Sequence, residues 1–112
     1  MKDDRLYLTH ILECIERIQD FVKEGEQVFL ADIKTQDAVL RNLHTLSEST
    51  QRISEKTQAQ HPDVEWRSIS GFRNVLVHDY LGVDLSQIWH IINTDLKTLH
   101  DQIKKIFTDL QR

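Results

Sequence analysis

Apolar residues recur in steps of three and four along most of this chain, the spacing that lays side chains on one face of an α-helix. Leu8, Ile11, Ile15, Ile18 and Val22 form the first such stripe, while Glu13, Glu16, Arg17 and Lys23 lie off it. Gly25 is the natural stop for that helix. After a short connector, EQVFLADIK, the pattern resumes with Val39, Leu43, Leu46 and Ile53, and the polar Thr50 stands where the series calls for another apolar residue. Thr35 or Asp37 is placed to cap this second long helix.

The polar stretch EKTQAQHPD ends it, because Pro62 cannot continue a helix and Asp63 can cap the next one. A shorter third helix is expected from near Val64, with Trp66, Ile69, Arg73, Leu76 and Tyr80 on one broad face. Gly82 interrupts it. Asp84 with Gln87 three residues later then makes a capping box for the last helix, whose stripe is Leu85, Ile88, Ile92, Leu96, Leu99, Ile103, Ile106 and Leu110 in three-four alternation. Three long helices, one short one and short connections predict an all-α fold, an up-and-down antiparallel helical bundle forming a single domain over residues 1–112. Near-heptad spacing suits left-handed packing at about 20°. A stripe as long as that of the last helix, or of the first, also suits a second protomer, so a dimer is expected.

Composition narrows the function classes. With 3 Gly and 1 Pro in 112 residues, an all-β fold built on tight turns is disfavoured. No apolar run approaches the roughly 20 residues that span a bilayer, and the opening MKDDRLYLTH lacks the features of a signal peptide, so the expectation is a cytoplasmic protein with no membrane partner. The lone Cys14 cannot form an internal disulfide and reads as a buried small apolar residue. A net charge of −4 argues against a broadly basic surface for duplex nucleic acid, so any RNA contact must be local. The six histidines show no i, i+4 pairing with one another and the chain has a single cysteine, so neither a metal nor another cofactor is expected. Trp66 and Trp89 read first as packing residues, Arg67 as a solvated residue or an extension of a basic patch, and Asp79 as a surface residue. Lys104, Lys105 and Arg112 suit the last turns of a helix through its dipole.

Residues 73–80, RNVLVHDY, set an arginine, an asparagine, a histidine and a tyrosine among Val75, Leu76 and Val77. On a straight helix Arg73 and Tyr80 nearly eclipse, whereas His78 lies about 140° around from Arg73, with Asn74 one turn before His78. Two arrangements would bring Arg73 and His78 together: a loosening of the helix near Val77, or a meeting of two copies across a symmetry axis. In the second, paired histidines would supply a base and an acid, and arginine a planar fork for a phosphate and its developing charge. That set suits metal-free attack by an RNA 2′-hydroxyl on its own phosphodiester. By residue type alone the plainer reading, a helix end with a capping histidine and a surface arginine, stands beside it.

The stretch WRSISGFRNVLVHDYLGVDLSQIW resembles the signature region of the HepT-like proteins of the HEPN superfamily, whose motif reads Arg, four residues, His, any residue, Tyr. Arg73, His78 and Tyr80 fill it, Asn74 is the polar neighbour, and Trp66, Gly71, Val83, Asp84 and Trp89 stand around it in the same order and spacing. The earlier stretch FLADIKTQDAVLRNLHTLSEST is similar to the corresponding helix of that group. Where related sequences often carry a Gly-Glu-Ala run, this chain has Leu46, Ser47, Glu48 and Ser49, which leaves Glu48 without an assigned role. The resemblance implies a dimerising α-bundle with a metal-independent endoribonuclease site composed of Arg73 and His78 from both protomers. It also implies a toxin whose partner, a minimal nucleotidyltransferase antitoxin, silences it by AMPylation of Tyr80. An AMP group there would place negative charge on the face that carries Arg73. The alternative is a non-catalytic helical module that binds a nucleotidyltransferase partner through the same residues.

Overall fold

The computed structural model describes residues 3–69 and 84–110. Helix α1 (Asp4–Phe21) is capped by Asp3, whose carboxylate accepts the Arg5 backbone N–H at 2.9 Å and also holds the Arg5 guanidinium at 2.8 Å. Leu8, Ile11, Ile15 and Ile18 are fully buried, as their spacing predicts, and Tyr7 and Cys14 widen the stripe. Burial pushes the Cys14 thiol above its ordinary pKa, so it packs as a neutral apolar group. The helix stops at Phe21, short of the expected Gly25. Gly25 belongs to the next element instead, where its φ of +103° is a backbone conformation that L side chains rarely adopt.

That element is helical, not the plain connector expected from EQVFLADIK. Helix α2 (Glu26–Ala31) buries Phe29 completely. Helix α3 (Ile33–Gln51) is capped by Asp32, in place of the expected Thr35 or Asp37. The Asp32 carboxylate accepts the Lys34 N–H at 3.1 Å and the Thr35 hydroxyl at 2.7 Å. Val39, Leu43 and Leu46 are buried. Thr50 occupies its apolar position without an orphaned hydroxyl, donating to the Leu46 carbonyl at 2.9 Å, and buried Ser47 donates to Leu43 in the same way at 2.8 Å.

The polar stretch after α3 holds another helix, α4 (Glu55–Gln60), capped by Ser54. Its start is pinned to the start of α1: the Asp4 carboxylate accepts the Ser54 N–H at 3.0 Å and the hydroxyls of Ser54 and Thr57. Partial burial pushes the Asp4 carboxyl up, but these bonds outweigh it and hold it below its ordinary value of 3.8. The depressed pKa means that the stabilisation is full above the unfolded-state value and lost as pH falls through the folded one. Asp4→Ala is therefore expected to cost about 1 kcal/mol near neutrality, discounted for partial exposure, and the urea midpoints of the two proteins should draw together as pH falls below ~4.

A further helical turn begins at Trp66 and runs through residues 66–69, slightly later than the predicted start near Val64, with the Ile69 N–H on the Glu65 carbonyl at 3.1 Å. The last helix comes in three parts: α5 (Leu85–His90), a π-helical turn (Ile91–Asp95) and α6 (Leu96–Leu110). Sequence explains the break. Elsewhere in the stripe threes offset fours, but Ile88, Ile92 and Leu96 are linked by two successive fours. Eight residues overshoot two turns by about 80° in a regular helix. The π turn absorbs the excess residue: the Leu96 N–H bonds the Ile91 carbonyl, five residues back, and Ile88, Ile92 and Leu96 all stay buried.

Helix α1 packs against both α3 and α6, while α2 packs against α3 and α5. The Asp4 bonds at one end make α1 and α3 antiparallel. At the other, His100 of α6 lies 3.0 Å from the Glu16 carboxylate of α1. Every regular element among the described residues is helical, which makes the fold an all-α bundle. No helix among them is long and apolar enough to cross a membrane.

Candidate functional site

Arg73, Asn74, His78 and Tyr80 lie outside the described residues, as do Gly71, Asp79, Gly82, Val83 and Arg112. The structure places both ends of the 70–83 segment, and each end is anchored in the bundle. On the N-terminal side Ile69 is buried in the core, and the half-buried Trp66 donates its indole N–H to the His61 carbonyl at 3.0 Å. Gln102 of α6 reaches the Asp63 carbonyl at 3.0 Å, tying the preceding turn to the last helix. On the C-terminal side the Asp84 carboxylate accepts the N–H groups of Ser86 at 3.0 Å and Gln87 at 3.2 Å. Ile88 is buried one turn on, and the Trp89 ring packs on Phe29 of α2 with centroids 5.7 Å apart. Both tryptophans therefore pack against protein, the first of the roles their positions suggested.

Arg67 and Ser68 are exposed beside the N-terminal anchor. A cleft of about 260 Å³ next to them is lined by Asp63, Glu65 and Asp95 together with Ser68, Thr98 and Gln102. Its carboxylates repel a phosphate backbone, so this cleft does not suit an RNA strand. Glu48 is half-buried on α3, with the His44 Nε2 3.5 Å from its carboxylate, between the buried Ser47 and Ser49. Among the described residues no three His, Cys, Asp or Glu side chains converge as a metal site would require.

Sequence reasoning missed two features that bear on how the segment is held. Phe29 sits in a stretch too short for a helical period to be read. The π turn was signalled by the two successive four-residue steps, and its Thr94 hydroxyl donates to the His90 carbonyl at 2.6 Å.

Comparison with known proteins adds what the described geometry does not hold. No solved structure matches the chain. A Methanocaldococcus jannaschii protein named "Gamma-glutamylcyclotransferase and putative RNase" is 31% identical over 99% of this chain, which spans only 50% of that relative's length. "Probable ribonuclease HepT" of Thermococcus cleftensis is 36% identical over 89% of this chain and 92% of its own. A "Putative RNase" of Caldanaerobacter subterraneus subsp. tengcongensis is 34% identical over 95% of this chain and 96% of its own. Residues 11–106 match the family described as "Ribonuclease HepT-like", and with relatives of this identity and coverage the chain belongs to the HepT-like family.

Proposed function

We propose that this chain is a metal-independent endoribonuclease that acts as the toxin of a pair with a minimal nucleotidyltransferase antitoxin, working in the cytoplasm as a homodimer of one-domain protomers. The observation that carries the reading is the motif Arg73, four residues, His78, one residue, Tyr80 in a chain of the HepT-like family. The ribonuclease names of its relatives support the substrate class.

In the proposed reaction an RNA 2′-oxygen attacks its neighbouring phosphorus while the bond from phosphorus to the 5′-oxygen breaks. His78 of one protomer takes the 2′-hydroxyl proton, and its copy in the partner gives a proton to the departing 5′-oxygen. Arg73 holds the phosphoryl oxygens as their charge rises, with Asn74 in support. The products are a 2′,3′-cyclic phosphate and a 5′-hydroxyl. No step needs a metal, so cleavage of total RNA by the purified protein should persist in EDTA and leave cyclic phosphate ends. Products that vanish with EDTA would overturn the mechanism.

Tyr80 is the control point of this reading. The antitoxin transfers AMP from ATP to its phenolic oxygen, releasing pyrophosphate and setting a phosphate beside Arg73. With antitoxin and ATP, the wild type should gain the mass of AMP and lose cleavage about tenfold or more, while Tyr80→Phe should stay unmodified and active. Loss of cleavage in both would mean inhibition by binding alone. The net charge of −4 favours a second reading, a non-catalytic module that binds the nucleotidyltransferase. It predicts no cleavage at all from protein whose Tyr80 is unmodified.

A further inference from the structure

Helices α2 and α5 have six residues each, fewer than two turns, and a helix that short has no stability of its own in water. Each must be held by its neighbours. Burial supplies little of that hold: α2 buries one side chain, Phe29, and α5 buries one, Ile88, whereas α1, α3 and α6 bury six, six and four. The backbone also marks both helices off from the rest. Gly25 ahead of α2 has a φ of +103°, Asp32 behind it is extended, and Asp84 ahead of α5 is extended. Behind α5 the π turn interrupts the regular ladder that would make it one piece with α6.

Some of the contacts that hold the two helices are local to one of them. Gln36 of α3 donates its side-chain N–H groups to the carbonyls of Phe29 and Leu30, both at 3.0 Å, and so fastens the C-terminal end of α2. The Asp84 carboxylate takes the Ser86 and Gln87 N–H groups at the start of α5. Another contact is mutual. The Trp89 ring lies on Phe29 with centroids 5.7 Å apart, and among the described elements α2 is the one outside its own helix on which α5 chiefly packs. Lifting α2 takes away the surface under Trp89. Lifting α5 uncovers Phe29, the one side chain that anchors α2 in the core. Opening either helix therefore removes much of what holds the other.

We infer that α2 and α5, far apart in sequence, form a two-part strap that opens from the α1, α3 and α6 core as one cooperative unit, hinging at Gly25, Asp32 and the π turn while the core stays folded. The inference goes beyond the ribonuclease reading and does not depend on it. Units of this kind open at a lower free energy than the whole domain unfolds, and so expose buried side chains of a protein that is otherwise native. Here the opening uncovers Phe29, Ile88 and Trp89 together. It adds them to the apolar side chains of Val28, Leu30 and Ile33, which are exposed already.

The test is hydrogen exchange of the native protein along a urea series below the unfolding midpoint, under conditions where exchange reports the opening equilibrium. In the wild type the amides of Phe29, Ile88 and Ile91, bonded to the carbonyls of Gly25, Asp84 and Gln87, should share one opening free energy and one urea slope, both smaller than those of Ile15 and Leu43 in the core helices. Gln36→Met removes the donors that fasten α2 and keeps the side chain's length, while Asp84→Ala removes the cap of α5. Gln36→Met should speed exchange about fivefold at Phe29 and by the same factor at Ile88 and Ile91. Asp84→Ala should act in the reverse direction, speeding Ile88, Ile91 and Phe29 alike by about fivefold. Acceleration confined to α2 in the first variant or to α5 in the second would show two independent openings and overturn the inference. Wild-type amides of α2 and α5 that share the urea slope of Ile15 and Leu43 would overturn it too, because the two helices would then leave only as the whole domain unfolds.

Discussion

His78→Ala should abolish RNA cleavage, with kcat reduced about 10²–10⁴-fold and growth arrest lost on expression in the host. The size comes from the doubled role. If each protomer supplies one histidine to a shared reaction, the substitution removes base and acid together, and no other histidine is near in sequence to replace them. Arg73→Ala should cost about 10²–10³-fold by a different route, leaving proton transfer intact but the phosphoryl charge unheld. Mixed dimers separate the two effects. One wild-type protomer with one His78→Ala protomer keeps half the proton relay, whereas pairing His78→Ala with Arg73→Ala leaves one histidine and one arginine. Full activity in His78→Ala would remove His78 from the reaction, whereas no cleavage by the wild type either, measured on protein whose Tyr80 mass spectrometry finds unmodified, would transfer the case to the binding-module reading.

The largest expected effect on stability lies far from that chemistry in sequence. Phe29→Ala should cost about 3–5 kcal/mol, read from the shift in the urea midpoint. Phe29 is completely buried, belongs to the same core as the stripes of α1, α3 and α6, and faces the Trp89 ring at 5.7 Å. A ring pair adds about 0.5–1.5 kcal/mol beyond area burial, and α2, with six residues, buries no other side chain that would hold it in place. Against a total of about 5–15 kcal/mol, the loss leaves a small domain close to unfolding. Phe29→Leu keeps most of the volume and should lose less than half as much. Equal losses for both would show that the ring pairing, not volume, dominates.

The long helices were legible because their signals are local and repeated. Four apolar residues of α1 and three of α3 recur at helical spacing and are buried where that spacing puts them. The misses have a common physical origin, in that the deciding contact is either remote or too brief to repeat. Helix α4 reads as polar, yet Thr57 is buried because Asp4 meets it from 53 positions away. Helix α2 spans fewer than two turns, so Phe29 had no periodic partners to reveal it. Asp32 outcompeted the two later cap candidates through a bond from one of them, Thr35, whose hydroxyl it accepts. For the site the position is reversed. The proposal of Arg73, Asn74, His78 and Tyr80 as site residues rests on the order of residue types and the family resemblance, while the described structure contributes the anchors at Ile69 and Asp84.

The placement of α1 between α3 and α6 also has a kinetic side. Its contact with α3 closes a short stretch of chain, whereas its contact with α6 joins residues 84 positions apart, as in the Glu16–His100 pair. Loop-closure entropy favours the nearer partner first. The early species is then a helical hairpin of α1 and α3 whose second apolar flank stays open to solvent until the last helix docks. In a growing polypeptide that flank remains uncovered until residues 96–110 have been made, so the complete bundle is a late product of synthesis, and the same open flank is where the nascent chain is most exposed to aggregation or capture.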